Sequence, residues 1–452
     1  MTPHIALIPS AGMGHLNPFC RLASKLLSLQ CKVTLIMGRP IFTAAEETLL
    51  SSFLRKHPQV RHLEYQILPP EDVPGIDPFF LQYGAIGKST HLAFAEVMSS
   101  SPPFTTVVCD IFMANTVPRF ASQIGVPCYI FITTSFRFLS FMAYLPTLIS
   151  DPEKRDADSS HLEIPGLGAF DRMSIPRLFM TPGHYITELT VSLAVGFTDA
   201  TGLIVNSFES LEEETFSALN QKKIVSLLPP SYPVGPLEEY DLETGDRAPY
   251  MDWLDTQPKE SIIYANFGSR SAMSIEQIRE LGHGLERSKF KFLWIIKTSK
   301  IDSEEKESLG NVLGESYLER IKNQGLILKE WVAQPEVLSH PSVGGFLSHC
   351  GWNSAMEAAR AGVPVLGWPL HGDQRTNAEV LEKAGLGLME RSWKFGMQKF
   401  VAADEIAAAI TKLMLDCDLR KKAKVIQEAA IRATSPEGSS HDTVVLKLIA
   451  GN

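Results

Sequence analysis

A chain of 452 residues is too long for one ordinary hydrophobic core and calls for two domains. Apolar residues make up 44% and charged residues 21%, the balance of a soluble globular protein and not of a disordered or fibrous one. A net charge of −9 weighs against nucleic acid or an anionic membrane as partner.

The first half alternates strands and helices. Residues 5–9 read as a buried strand, followed by the loop S-A-G-M-G-H-L-N-P and a helix over 18–29, with Asn17 as cap and Pro18 in its first turn. The loop carries Gly12 and Gly14, but Asn17 stands where G-x-G-x-x-G needs its third Gly, so a nicotinamide site is rejected. What the loop presents is His15, at the mouth of the sheet. Strands follow at 32–37, at 105–111 with Asp110 near the carboxyl end, and at 126–132. An aromatic helix over 134–148 comes next, and residues 201–206 form the last strand of this half. The aromatic helix is read as bearing Phe131, Phe136, Phe138, Phe141 and Tyr144, apolar walls for a ligand of which most belong to the core. This order predicts an α/β fold with a parallel sheet.

The apolar stretch 128–149 is broken by Arg137, Pro146 and several hydroxyl residues, so it is no membrane span. The first ten residues lack the basic leader and long apolar run of a secretory signal. The cysteines Cys20, Cys31, Cys109, Cys128, Cys350 and Cys417 show no C-x-x-C spacing and read as reduced thiols of a cytoplasmic protein. Two D-x-D patterns, Asp156 to Asp158 and Asp416 to Asp418, lie in a polar loop and near a helix end. They read as solvated carboxylates, and no metal is expected.

Residues 229–253, rich in Pro, Gly and acidic side chains, read as the connection between halves. A second sheet begins at 261–267, turns through Gly268-Ser269-Arg270 and enters a helix at about Ser274. Strands at 290–296 and 325–330 continue it, with a charged surface segment at 300–315 between them. Helices are expected over 402–415, 419–434 and 441–449.

The densest stretch is 331–374, W-V-A-Q-P-E-V-L-S-H-P-S-V-G-G-F-L-S-H-C-G-W-N-S-A-M-E-A-A-R-A-G-V-P-V-L-G-W-P-L-H-G-D-Q. It reads as a strand end, a short helix, a buried strand at 343–347, a tight turn and a helix opening at Trp352–Asn353–Ser354; a strand at 363–368 follows. Free backbone N–H groups and the helix dipole at such a turn favour an anion. His349, Asn353 and Ser354 add donors, a setting for a diphosphate. Trp331 offers a flat face to a heterocyclic base. Glu357, one turn after Asn353, can take two ribose hydroxyls, while Asp373 and Gln374 can accept further hydroxyls.

This composite closely resembles the signature box of the plant UDP-dependent glycosyltransferases (family 1). The resemblance implies the GT-B fold, two Rossmann-like doubly wound parallel-sheet domains facing a cleft. It divides the chain into an acceptor-binding domain over 1–235, a linker over 236–252, a UDP-sugar-binding domain over 253–434 and a final helix over 435–452 returning to the first domain. It implies His15 as catalytic base and Asp110 as its orienting partner. The donor is expected on Ser269, Arg270, Trp331, Val332, Gln334, His349, Gly351, Trp352, Asn353, Ser354, Glu357, Asp373 and Gln374. Gln374 at the box end favours glucose, hence UDP-glucose as co-substrate, with no other cofactor and no metal. A carboxylate on Nδ1–H fixes the imidazole tautomer and raises its basicity. A phenol near pKa 10 facing an imidazole near 6.5 leaves a gap of about 5 kcal/mol for the dyad and the acceptor's own acidity to close.

The segment Ile76-Asp77-Pro78-Phe79, read as a Pro-rich loop, together with F-G-S-R and H-G-D-Q, is similar to the plant C-glycosyltransferases of 2-hydroxyflavanones and phloretin-like ketones. It implies a small polyphenol acceptor touching Asp77 and Phe79, inversion at the sugar, and a β-C-glucoside as product. The alternatives are O-glucosylation of flavonoids or small phenols, and a non-catalytic nucleotide-sugar binder, which the presence of both His15 and Asp110 disfavours. A monomer without nucleic acid or membrane segment completes the expectation.

Overall fold

The structure, a computed structural model, describes residues 2–41, 43–99, 102–156, 159–239, 247–268, 273–297, 308–394 and 399–450, with the backbone alone of Phe79. The chain divides into two compact units, one formed by Met1–Glu243 with Arg432–Asn452 and one by Thr244–Ile431.

In the first unit the strands are β1 (His4–Ile8), β2 (Lys32–Arg39), β3 (Arg61–Gln66), β4 (Thr106–Asp110), β5 (Cys128–Ile132), β6 (His161–Leu162), β7 (Phe170–Asp171), β8 (Gly202–Val205) and β9 (Ser231–Pro233). All but β6 and β7, a short antiparallel pair, join one parallel sheet in the order β3-β2-β1-β4-β5-β8-β9. Ile5 is in register with Val33 on one side and Thr106 on the other. Every residue of β1, β4 and β5 is buried, which explains their unbroken apolar runs: helices cover both faces of a parallel sheet.

The second unit repeats the plan with β10 (Ile262–Asn266), β11 (Lys291–Ile295), β12 (Gly325–Leu328), β13 (Val343–Ser348), β14 (Val365–Gly367) and β15 (Gly387–Met389), ordered β12-β11-β10-β13-β14-β15. In each sheet the order reverses beside one strand pair, β1 with β4 and β10 with β13. Ligands of doubly wound sheets bind at the carboxyl ends of such a pair.

Four local expectations need correction. The first helix runs Met13–Ser28, opening before Asn17 and Pro18. Gly12, at φ 96°, turns the chain sharply enough to start it early, and the buried stripe Leu16, Phe19, Cys20, Ala23 and Leu26 follows helical spacing from there. A proline near a helix start forfeits a single main-chain bond, which this burial outweighs. Second, Pro78 opens a helix, Pro78–Ser99, where a loop was expected, since Asp before Pro is a start signal. Third, residues 231–233 are the edge strand β9, paired with β8 from Leu203↔Ser231 to Val205↔Pro233, a place where proline is tolerated. Fourth, Pro249–Asp255, inside the expected linker, is a helix, and Phe131 belongs to β5, not to the aromatic helix Phe136–Ser150.

The chain end packs into the first unit. Val444 and Leu448 are buried in the core that contains Ile5, Leu7 and Phe131. The Thr106 hydroxyl donates to the Leu448 carbonyl at 3.0 Å, and the Ser440 hydroxyl donates to the Gly235 carbonyl at 2.7 Å. Leu448→Ala is therefore expected to lower stability by about 2–5 kcal/mol in urea unfolding followed by circular dichroism. An unchanged midpoint would contradict this packing role.

Candidate active site

Two of the expected residues meet in the first unit. His15 lies in the first turn of the helix Met13–Ser28, which follows β1, and Asp110 is the last residue of β4. They meet at the reversal point because β1 and β4 are neighbours. The His15 Nδ1 is 2.8 Å from Asp110 Oδ2, and the Thr133 hydroxyl is 3.4 Å from the same nitrogen. Asp110 is fully buried, and its other oxygen accepts the Phe112 N–H at 3.1 Å. A buried carboxylate requires such partners. With Nδ1 turned to the carboxylate, the neutral ring carries its proton there, leaving the Nε2 lone pair as the base. The side chain of His15 is 18% exposed. Tyr83 and Phe112, stacked on each other at 3.6 Å, flank the ring at centroid distances of 5.6 and 5.3 Å.

Behind this turn stands Glu46, buried, with burial raising its carboxyl pKa. It accepts the Gly12 N–H through Oε1 and the Thr43 hydroxyl through Oε2 at 2.8 Å, while Thr43 caps its N–H at 3.1 Å. Sequence reading passed over Tyr83, Phe112, Thr133 and Glu46. Only Glu46 left a signal, the T-x-x-E capping box from Thr43. Asp77 is exposed just before the helix that carries Tyr83.

The second unit assembles the box. The turn after β13 places His349, Cys350 and Gly351 ahead of the helix Trp352–Ala361, with Cys350 at φ 62° and Gly351 at the cap. His349 is half-buried; loss of hydration, then the charge of His371, pushes its pKa down to about 3. Its Nδ1 finds no partner among the described residues. Gln334 opens the short helix Gln334–Ser339 and donates through Nε2 to Ser354 Oγ at 2.9 Å and Glu357 Oε2 at 2.7 Å. Val332 and Trp352 are buried, whereas Trp331, three residues past the end of β12, is 68% exposed.

Asp373 caps the helix Gln374–Ala384 and accepts from Asn377 Nδ2 at 2.9 Å. Gln374 is turned inward, its Oε1 accepting the Leu370 and His371 N–H groups at 2.8 and 3.0 Å. Only its amide N–H side remains for another partner, and His371 Nδ1 is 3.2 Å from it. Ser269 and Arg270 lie outside the described residues, as does most of the first D-x-D pattern. Of the second, Asp416 caps the N–H groups of Asp418 and Leu419. No described helix is long and apolar enough to cross a membrane.

Two doubly wound parallel sheets, with a helix-opening turn at the reversal point of the second, define a GT-B glycosyltransferase. The chain belongs to the UDP-glycosyltransferase family, and its donor is a UDP-sugar. Residues 244–422 match the family model described as UDP-glucoronosyl and UDP-glucosyl transferase. UDP-glycosyltransferase 708C1 of Fagopyrum esculentum is 45% identical over 97% of this chain and 93% of that protein. UDP-glycosyltransferase CGT of Oryza sativa subsp. indica is 41% identical over 97% and 94%. Among solved structures, LpCGTa in complex with UDP has a TM-score of 0.86 at 38% identity, covering 99% of each chain. Phytolacca americana UGT2, complexed with UDP-2fluoro-glucose and pterostilbene, reaches 0.81 at 30% identity over 97% of each.

The lowered pKa of His349 has a measurable consequence. Between about pH 6.5 and 3 the unfolded chain binds a proton at this position that the folded chain does not, so acidification through that window costs stability. Urea unfolding from pH 6.5 to 4 should show wild type losing up to about 1.4 kcal/mol per pH unit more than His349→Asn. Parallel slopes would place a protonated ring in the fold.

Proposed function

We propose that this transferase moves glucose from UDP-glucose to an aromatic carbon of a polyphenol, a 2-hydroxyflavanone or phloretin-like ketone, giving a β-C-glucoside with inversion. The observation that carries the reading is the His15–Asp110 hydrogen bond of 2.8 Å at the reversal point of the first sheet. Nε2 takes the phenolic proton, and Asp110 stabilises the imidazolium that results. Negative charge then spreads onto the ring carbon between two hydroxyls. That carbon attacks the anomeric carbon as the bond to the UDP oxygen breaks, and UDP departs with the electron pair. The imidazolium returns its proton to the ring oxygen, and loss of the proton on the attacked ring carbon to solvent restores aromaticity.

In this reading Trp331 stacks on uracil, Glu357 takes the ribose hydroxyls, and the turn His349–Gly351 with Asn353 and Ser354 receives the diphosphate. Asp373 and the amide of Gln374 face the sugar. Developing charge on the leaving group meets the N-terminus of the helix Trp352–Ala361, so no metal ion enters the scheme. Carbon linkage is supported by the relatives that carry the CGT name, at 41% identity in two rice subspecies. O-glucosylation is a second reading, favoured by the 31% identity to anthocyanidin 3-O-glucosyltransferase 5 of Manihot esculenta. A difference in how the acceptor is held, on the scale of an ångström, separates the two outcomes.

Incubation with UDP-glucose and phloretin, followed by fragmentation of the product, decides the linkage. Cross-ring cleavage of the sugar is the expected result, and clean loss of a whole hexose would establish oxygen linkage instead. His15→Ala should lower kcat by about 10²–10⁴-fold while UDP affinity stays within about twofold of wild type, and Asp110→Asn should fall in the same direction. Unchanged turnover in His15→Ala would remove the base from this account.

A further inference from the structure

In the second unit a polar relay leads to Glu357 and Ser354 from residues that the donor scheme above does not use, Tyr264, Asn266 and Gln334. The Gly268 N–H donates to Asn266 Oδ1 at 3.0 Å. Asn266 Nδ2 donates to Gln334 Oε1 at 2.8 Å, and Gln334 Nε2 donates to Glu357 Oε2 at 2.7 Å and Ser354 Oγ at 2.9 Å. Tyr264, buried on the same strand, accepts from Asn266 Nδ2 at 3.0 Å and donates to Gln334 Oε1 at 3.2 Å. Burial pushes its phenol pKa far up, so it stays a donor.

Both ends of this relay are chemically unambiguous. A backbone N–H can only donate, and an ionised carboxylate can only accept. Between them stand two amides, each of which could face either way. The donor at Gly268 fixes the carbonyl side of Asn266, and this turns the Asn266 NH2 to the carbonyl of Gln334. Gln334 is thereby left with its NH2 towards Glu357.

We infer that Asn266 is a positioning residue for donor binding: through Gln334 it orients the Glu357 carboxylate that takes the ribose hydroxyls. The inference rests on the donor reading of Glu357 given above. Asn266→Asp tests it sharply. An aspartate still accepts the Gly268 N–H, but towards Gln334 it can only accept. Gln334 must then turn its NH2 to residue 266 and its carbonyl oxygen against the Glu357 carboxylate.

The experiment is calorimetric titration of wild type and Asn266→Asp with UDP and with 2′,3′-dideoxyuridine 5′-diphosphate, which lacks the ribose hydroxyls. Wild type should bind the dideoxy compound about tenfold more weakly than UDP. Asn266→Asp should lose about tenfold on UDP and less than twofold on the dideoxy compound: the Ser354 hydroxyl can donate to a turned Gln334 as readily as it accepts from it, so the loss falls on Glu357 and the ribose. Equal losses on both ligands, or no loss on UDP, overturn the inference and leave the donor reading standing. Equal binding of the two ligands by wild type removes Glu357 from the ribose, and with it both readings. Should Asn266→Asp fail to fold, Asn266→Ala, which leaves the Gln334 carbonyl only the more distant Tyr264 hydroxyl as donor, is read by the same pair of titrations: a loss confined to UDP supports the relay, and any other pattern overturns it.

Discussion

A parallel sheet covered on both faces leaves polar side chains one place to gather, the ends of its strands. Every residue of β1, β4, β5 and β13 is buried, and the polar groups at issue begin where the strands stop. Asp110 closes β4 and His15 follows β1; Asn266 closes β10 and His349 follows β13. Each pair stands at the reversal point of its sheet, where neighbouring strands send their helices to opposite faces and a crevice opens. The two units thus solve the same geometric problem twice and fill the two solutions with different groups, a carboxylate–imidazole pair in one and a helix-opening turn with a buried amide in the other.

This placement also explains how the His15 ring is oriented. Asp110 is fully buried, and an unpaired carboxylate there would cost several kcal/mol. The Phe112 N–H satisfies one oxygen and His15 the other. Turning the imidazole away would strand that second oxygen, so core packing and ring orientation are stabilised together. Glu46 acts from the opposite side, tying the Gly12 turn to the start of the helix Ala44–Lys56. A carboxylate on the N–H that caps the helix Met13–Ser28 also complements that helix's dipole.

The parts legible in the sequence were those with a period or a rigid local rule. Unbroken apolar runs gave the central strands to within one or two residues, and the turn His349–Gly351 followed by Trp352–Asn353–Ser354 located a helix start to the residue. Edges and overlaps were harder. β9 hides in a Pro-rich segment because an edge strand needs only half a ladder. The helix Pro78–Ser99 is apolar over most of its length with a weak amphipathic pattern, so its period gave little to read. Side-chain partnerships were less legible still. Tyr83 reaches His15 across 68 positions of sequence, and Asn266 reaches Gln334 across an equal number. No spacing rule encodes a contact of that kind.

The turn after β13 shows what such a site demands of its backbone. Cys350 holds φ 62°, a conformation that costs a non-glycine residue of the order of 1 kcal/mol and persists where surroundings overdetermine it. The surroundings here are specific. Asn377 Nδ2 donates to the Cys350 carbonyl at 3.2 Å, and the Cys350 N–H donates to Ser348 Oγ at 3.1 Å. The His349 ring lies against both Gly268 and Gly351: a β-carbon on either would stand 2.7 or 2.5 Å from its Nε2. Only two glycines, one from each loop at the reversal point, leave room for the imidazole. Ring, turn and helix start are consequently set together by packing within the second unit itself.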